Sequence, residues 1–145
     1  MRQGFQVLRK GGRFVAFGIP SGEVSFDYAN ALVFKEATVL GIKLGADPQI
    51  ILDVIGTSFG GSAMMTRNVP RFISRDFAGA TPVNLIAKDL GIIHDEARRS
   101  GVPILLGALA EQRFLEAQAR GWGESDMARL IQLWEEASGA HPGDG

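Results

Sequence analysis

The side chains that could bind a ligand or take part in a reaction are a lysine and two carboxylates near residue 90. Lys88 is followed directly by Asp89, and Asp95 comes seven residues after the lysine. Because an α-helix turns once in about 3.6 residues, Lys88 and Asp95 would lie two turns apart on one side of a helix. A lysine that faces a cleft can bind a carboxylate or a phosphate as a point charge. A solvated helix surface with local ion pairs explains the same residues, and the spacing leaves both interpretations open.

The remaining reactive residue types exclude several kinds of site. His94 could transfer protons near neutral pH, but a lone histidine beside acidic residues is also typical of a helix surface. The other histidine, His141, is too distant in sequence to suggest a shared metal site, and we predict none. The chain has no cysteine, which excludes disulfides, Cys-ligated zinc and thiol catalysis.

No glycine-rich loop suited to a dinucleotide is present in the sequence. Such a loop needs the spacing G-x-G-x-x-G between a strand and a helix, and no group of glycines here provides it. No lysine follows a glycine loop as in a Walker A motif either. We therefore expect that this chain cannot hold a dinucleotide on its own.

Length and charge describe an ordinary globular protein. The 145 residues are 46% hydrophobic and 21% charged, which fits one domain, or one domain with an appendage. Fifteen basic and 16 acidic residues leave a net charge of −1, so nothing favours nucleic acid or an anionic membrane as a partner. The amino terminus lacks the apolar run of a signal peptide, and we expect a cytoplasmic protein.

The first 27 residues predict a short β-containing head. Residues 13–17 form a run of β-forming residues bounded by glycine and proline, and residues 23–26 alternate polar and apolar side chains. Two short strands do not form a stable sheet alone. The head therefore needs the rest of the chain, a second chain or sequence that is absent here.

From Tyr28 to Ser138 the sequence predicts a helical bundle, so that the fold class is mainly α. A polar capping residue begins four of the helices after the first, and a further helix is predicted from Ile104 to Arg120. The predicted starts are Asp47-Pro48, Ser62, Thr81-Pro82 and Glu124-Ser125-Asp126. Glycines at positions 45, 56, 101 and 121 are expected to end helices.

One segment of this body is predicted to be irregular. Pro70 is expected to interrupt the helix that begins at Ser62, because proline lacks the backbone N–H that a helix interior needs. Phe72, Ile73 and Phe77 would then anchor an irregular connection. Residues 139–145 are expected to form a frayed tail.

Several short motifs in the body occur in an order and at intervals found in a known family. They are Glu36-Ala37, Gly45-Ala46-Asp47-Pro48, Gly61-Ser62, Arg75-Asp76-Phe77, Lys88-Asp89-Leu90-Gly91 with Asp95, Gly101-Val102-Pro103 and Gly121-Trp122-Gly123-Glu124-Ser125-Asp126. With them the chain resembles the carboxy-terminal helical domain of the β-hydroxyacid dehydrogenases. These are relatives of 3-hydroxyisobutyrate dehydrogenase, tartronate semialdehyde reductase and 6-phosphogluconate dehydrogenase.

This resemblance implies a site and its ligands. The block from Lys88 to Asp95 resembles the family's cofactor-side motif, so Lys88, Asp89 and Asp95 would be cofactor-binding, with Lys88 also facing the substrate. The implied cofactor is NAD or NADP, and the implied substrate is a small hydroxyacid or semialdehyde. The family's bundle packs against its twin, which implies a homodimer.

The first part of the chain resembles a different family. Residues 8–43 are similar to a late part of the nucleotide-binding domain of medium-chain alcohol and threonine dehydrogenases. That family's zinc ligands and glycine motif are missing. The two resemblances overlap within residues 35–45, so the chain has the form of a fusion of two dehydrogenase fragments. The head would then be a remnant of a Rossmann-type domain.

A catalytic residue of the hydroxyacid dehydrogenases is also missing. Their catalytic lysine belongs to a K-x-x-x-N block, and the nearest counterpart here has Asp27 at the lysine position and Ala31 at the asparagine position. No catalytic residue is therefore predicted in this chain. We expect part of a dehydrogenase that is inactive alone and that could be completed by a separate Rossmann-domain chain.

Two alternatives remain open at this point. The chain could be a non-catalytic dimerisation or regulatory module that retains the helical fold. It could also be a shuffled or engineered fragment without selected activity.

Overall fold

The computed structural model describes residues 28–58 and 61–140, with side chains from residue 35 onward. Six α-helices and one 3₁₀ helix make up this part of the chain, and it contains no β-strand, which confirms the mainly α prediction. They are α1 (Tyr28–Lys43), α2 (Pro48–Gly56), α3 (Ala63–Ser74), α4 (Val83–Ser100), α5 (Leu105–Ala119), the 3₁₀ helix (Met127–Leu130) and α6 (Ile131–Ser138). The predicted head and strands, and His141, lie outside the described residues.

An antiparallel pair, α4 and α5, forms the first half of the core. The buried face of α4 includes Ile86 and Leu90, which pack against Phe114 of α5 and against Met127 and Leu130 of the 3₁₀ helix. Because buried positions recur three and four residues apart on α4, its opposite side faces outward.

The second half of the core lies between the other helices. Val39 of α1, Leu52 of α2 and Phe72 of α3 pack with Ile131 of α6 in one cluster. Trp134 of α6 packs against both halves. In the described part of the chain, no helix is long and apolar enough to cross a membrane.

Three of the predicted capping residues act as caps, and two of them, Asp47 and Ser62, begin α-helices. The carboxylate of Asp47 accepts hydrogen bonds from the backbone N–H of Gln49 and Ile50, and Pro48 is the first helical residue of α2. Likewise the hydroxyl of Ser62 accepts from the backbone N–H of Met65 at the start of α3. Both side chains satisfy backbone donors that have no partner within the helix.

The prediction that Pro70 interrupts its helix is wrong. Helix α3 continues through Pro70 to Ser74, so Phe72 and Ile73 are helical. A proline at this position removes the hydrogen bond to the carbonyl of Thr66. Both Thr66 and Pro70 are exposed, so water can bind that carbonyl.

The prediction that Thr81 caps α4 with its side chain is also wrong. The N-cap position is Pro82, which makes no side-chain hydrogen bond. The first backbone N–H groups of the helix, from Val83 and Asn84, instead donate to the carbonyls of Ser125 and Gly123, each at 2.9 Å. A distant loop therefore replaces the local cap.

Candidate cofactor-binding face

The exposed side of α4 carries the residues that the sequence singled out. Leu85, Lys88, Ile92 and Asp95 lie on one stripe of this helix, and all four are exposed. The stripe is opposite the buried side that contains Leu90. It therefore presents an ammonium group between two apolar side chains.

Lys88 contacts only part of the predicted set. Its Nζ atom lies 3.0 Å from Oδ1 of Asp89, with 56% of the lysine side chain and 29% of the aspartate side chain exposed. The lysine end of this pair is exposed whereas Oδ1 of Asp89 is buried, so the ammonium group remains accessible to a ligand anion. Asp89 thus keeps the ammonium oriented without neutralising it permanently.

Asp95 is not part of the same contact. It stands seven residues beyond Lys88, which corresponds to about 10 Å along the helix axis. The structure places both residues on one side of α4, as predicted, but they cannot bind the same atom of a ligand. Asp95 could only contact a different part of a long ligand.

A loop between α5 and the 3₁₀ helix fixes the start of α4. The side chain of Asn84 accepts a hydrogen bond from Gln118 at 2.7 Å and donates one to Glu124 at 2.8 Å. It also packs directly over Gly123, where an added Cβ would lie 2.6 Å from the amide. Because Lys88 is one turn after Asn84, this loop also sets the position of the lysine.

His94 has a structural partner on the neighbouring helix. Its Nδ1 lies 2.5 Å from Oε2 of Glu111, and both side chains are partly buried. Gly91, one turn earlier, leaves room for this carboxylate, since an added Cβ would lie 3.5 Å from its other oxygen. The pair joins α4 to α5 and lies away from the outward stripe.

Asp126 is a buried carboxylate that hydrogen bonds to several segments of the chain. The sequence indicated this residue only as part of a helix start. Asp126 is fully buried and caps the 3₁₀ helix through the backbone N–H of Ala128. It also accepts hydrogen bonds from the guanidinium of Arg67 and from the backbone N–H groups of Ala80 and Thr81. Burial raises the pKa of this carboxyl group, but the hydrogen bonds outweigh burial and lower it to about 2.

Sequence reasoning missed a buried lysine. Lys35 of α1 is fully buried, and its Nζ lies 5.6 Å from the centre of the Phe72 ring. Burial, together with the charge of Arg67, lowers the pKa of Lys35 to about 7, although the charge of Asp126 acts in the opposite direction. In the sequence, Lys35 stands at helical spacing with the apolar residues Ala31, Val39 and Ile42, and this spacing is the signal that could have indicated its burial. Lys35 also lies where the two family resemblances overlap.

The Arg75-Asp76-Phe77 motif has a structural explanation. Arg75 adopts the left-handed conformation at the end of α3, with φ of 59°. Its guanidinium donates to both carboxylate oxygens of the buried Glu135, at 2.7 and 2.8 Å, and stacks over the ring of Phe77. The motif therefore joins α3 to α6 and contributes nothing to the outward stripe.

The chemistry of the stripe fits one side of a nicotinamide cofactor. Leu85 and Ile92 could contact an aromatic ring, and Lys88 could contact a carboxamide oxygen, a phosphate or a substrate carboxylate. Among the described residues, no cluster of three histidine or acidic side chains could bind a metal ion.

Comparison with known proteins decides the family. A family model described as the NAD-binding part of NADP-dependent 3-hydroxyisobutyrate dehydrogenase matches residues 28–134. The chain belongs to this family. Membership confirms the resemblance to the β-hydroxyacid dehydrogenases, and the cofactor class is NAD or NADP, as the resemblance implied.

Individual relatives in this family are moderately similar in sequence. The 2-(hydroxymethyl)glutarate dehydrogenase of Eubacterium barkeri is 38% identical over 111 residues, which are 76% of this chain and 37% of that protein. The mitochondrial 3-hydroxyisobutyrate dehydrogenase of Homo sapiens is 33% identical over 108 residues, 70% of this chain and 32% of its own. The chain therefore spans about a third of the length of the curated relatives that it matches.

Solved structures of the family share the fold. The 3-hydroxyisobutyrate dehydrogenase of Mycobacterium tuberculosis, described with L-serine, has a TM-score of 0.68 at 25% identity, covering 74% of this chain and 39% of that chain. The enzyme from Salmonella typhimurium has a TM-score of 0.69 at 24% identity, covering 73% and 37%. The helical arrangement is thus the one found in dehydrogenases of this family.

Proposed function

We propose that this chain supplies the helical wall of the cofactor and substrate cleft in an NAD(P)-dependent 3-hydroxyacid dehydrogenase or semialdehyde reductase. The observation that carries the proposal is the exposed stripe of α4, in which Lys88 stands between Leu85 and Ile92 within the region matched by the family. The nicotinamide, when bound, accepts or donates the hydride. The chain's own contribution is to bind and orient.

Lys88 is the residue to which we assign ligand binding. Its ammonium is exposed and paired only weakly, with Asp89, so it can bind a substrate carboxylate or a polar group of the cofactor. Asp89 orients the lysine. Asp95 lies two turns farther along the same side of α4, where it would contact a different part of the cofactor. Leu85 and Ile92 exclude water from the bound ring.

We further propose that this chain is inactive alone. Hydride transfer requires the nicotinamide to be held in place against the substrate. The sequence contains neither a dinucleotide-binding glycine loop nor a lysine in a K-x-x-x-N block. A nucleotide-binding module on a separate chain would complete the site, and a homodimer would be the assembled form.

A thermal-shift experiment combined with an activity assay tests this function. Without a glycine loop the chain should contact NAD and NADP only weakly, through the exposed side of α4, so millimolar cofactor should raise the Tm of the purified chain only slightly. Lys88→Ala should abolish this small rise without lowering the Tm of the free protein. Arg98→Ala is the matched control, since Arg98 is also an exposed cation of α4, and it should keep the rise. Reduction of a small semialdehyde acid by the chain alone would refute the proposal of inactivity.

A second candidate function is assembly without catalysis. Three leucines at the start of α5 are strongly exposed: Leu105 is 83%, Leu106 67% and Leu109 58% exposed. A contiguous apolar surface of this kind is typical of protein–protein contacts. A stable dimer in sedimentation, with no Tm change on addition of either cofactor, would favour this candidate over the first.

A further inference from the structure

A cavity of about 210 Å³ lies on the side of the bundle formed by α1, α2, α3 and α6. Each of these four helices contributes to the lining of the cavity one apolar residue that is less than 9% exposed. They are Ile42, Leu52, Phe72 and Ile131. Pro48 and the half-exposed Ile73 also line the cavity and form its mouth.

The polar residues of the lining do not favour water or anions. Only two of the lining residues are polar, Thr38 and Glu135. Both oxygens of the Glu135 carboxylate already accept hydrogen bonds from Arg75. An ordered water needs two to four polar partners, which this lining supplies poorly. The carboxylate would also repel a second anion.

The size of the cavity defines the ligands that fit. An apolar cavity of about 150 Å³ within a protein core stays dry and binds benzene. The present cavity is larger and has a similar aliphatic and aromatic lining, with an opening at one side. Its volume can therefore take a single ring or a short branched chain.

We propose that this cavity is a binding site for a small neutral hydrocarbon of about the size of benzene. The site is separate from the cofactor-binding face, because α4 contributes none of its lining residues. A bound ligand would contact four helices at once and so would stabilise the packing of α1 against α2, α3 and α6. The proposal does not depend on the proposed function.

Nuclear magnetic resonance of the isoleucine methyl groups tests the site directly, with benzene as the probe. Benzene should shift the methyl signals of Ile42, Ile73 and Ile131 and leave that of Ile92 on α4 unchanged. At about ten times its Kd, benzene should also raise the Tm by about 3 to 6 °C. Benzoate, which has the same ring and a negative charge, should do neither.

Two variants of α2 provide a matched comparison. Leu52→Phe adds volume at the cavity wall and should abolish the benzene effects, whereas Ile50→Phe changes an exposed residue of the same helix and should leave them intact. If Leu52→Phe does not fold, the methyl shifts of the unaltered chain still decide the question. Absent or uniform methyl shifts, or equal effects of benzoate and benzene, would overturn the proposal.

Discussion

The guanidinium of Arg67 donates two hydrogen bonds to the carboxylate of Asp126, at 3.1 and 2.6 Å, across 59 residues of sequence. Asp126 is fully buried, and it also accepts from three backbone N–H groups. Through these contacts one side chain joins α3, the segment before α4 and the 3₁₀ helix. The start of α4, and with it the position of Lys88, depends on this joint.

Asp126→Ala should therefore be strongly destabilising. The substitution leaves the cation of Arg67 and the backbone donors of Ala80 and Thr81 without their acceptor, at a cost of about 3 to 5 kcal/mol in the free energy of unfolding. Urea unfolding followed by circular dichroism measures the loss. Asp95→Ala, at an exposed position, should change stability by less than about 0.5 kcal/mol. A loss equal to that of the control would show that the buried network contributes little.

The low pKa of the Asp126 carboxyl group predicts that the chain is less stable in acid. Its pKa is about 2 in the folded chain, below the ordinary value of 3.8, so the folded state favours the charged form. This stabilisation is complete above pH 3.8 and is lost as the pH falls towards 2, by about 2 kcal/mol. Unfolding free energies measured from pH 5 to pH 2 should show this fall, and the fall should be about 2 kcal/mol smaller in Asp126→Ala.

Lys35 predicts a pH dependence on the alkaline side. Because its pKa is about 7 rather than 10.5, the folded chain binds fewer protons than the unfolded chain between these values. Stability from this residue should therefore rise as the pH increases from 7 to 10.5. Lys35→Met should remove the slope and stabilise the chain at pH 7 by about 1 to 4 kcal/mol, as replacement of a buried charge often does.

An exposed lysine provides the control for this measurement. Lys88→Met replaces a lysine whose side chain is 56% exposed, and it should leave both the slope and the stability nearly unchanged. Destabilisation by Lys35→Met at pH 7, or a slope that persists, would show that the buried amine is accommodated better than its burial suggests.

Gly123 should tolerate no side chain while Asn84 is present. A Cβ at this position would lie 2.6 Å from the amide of Asn84, which hydrogen bonds to Gln118 and Glu124 hold in place. Gly123→Ala should cost about 1 to 3 kcal/mol in thermal unfolding experiments. Gly107 lies within α5, and a Cβ added there would be 3.4 Å from the nearest atom, Cδ1 of Ile104. Gly107→Ala should therefore be neutral or stabilising.

A second substitution identifies the cause of the effect. In an Asn84→Ala background the clash disappears, so Gly123→Ala should then cost much less. Equal costs in the two backgrounds would assign the effect to the backbone of the loop instead.

Local signals in the sequence predicted the helices well. Asp47 and Ser62 cap α2 and α3 as expected, because a capping side chain acts on backbone groups two or three residues away. Gly101 and Gly121 follow the ends of α4 and α5 with φ of 71° and 78°, in the left-handed region that favours glycine. The outward position of Lys88 also agrees with helical periodicity.

Features that depend on distant residues were not predictable in this way. Thr81 precedes a proline as a cap would, yet carbonyls more than 35 residues away bind the first N–H groups of α4. The spacing of Lys35 with Val39 and Ile42 places it on the apolar side of α1, but its contact with Phe72 depends on how α1 packs against α3. The pairing of Arg67 with Asp126 likewise requires the packing of α3 against the 3₁₀ helix, which local patterns do not contain.

A titration with NADP, monitored through the backbone amide resonances, shows where on the molecule the cofactor binds. It tests whether the exposed side of α4 is the cofactor-binding face. If the exposed side of α4 contacts the cofactor, chemical-shift changes should be concentrated at Leu85, Lys88 and Ile92, and they should be lost in Lys88→Ala. Shifts concentrated on another surface, or shifts at α4 that persist in Lys88→Ala, would contradict this assignment.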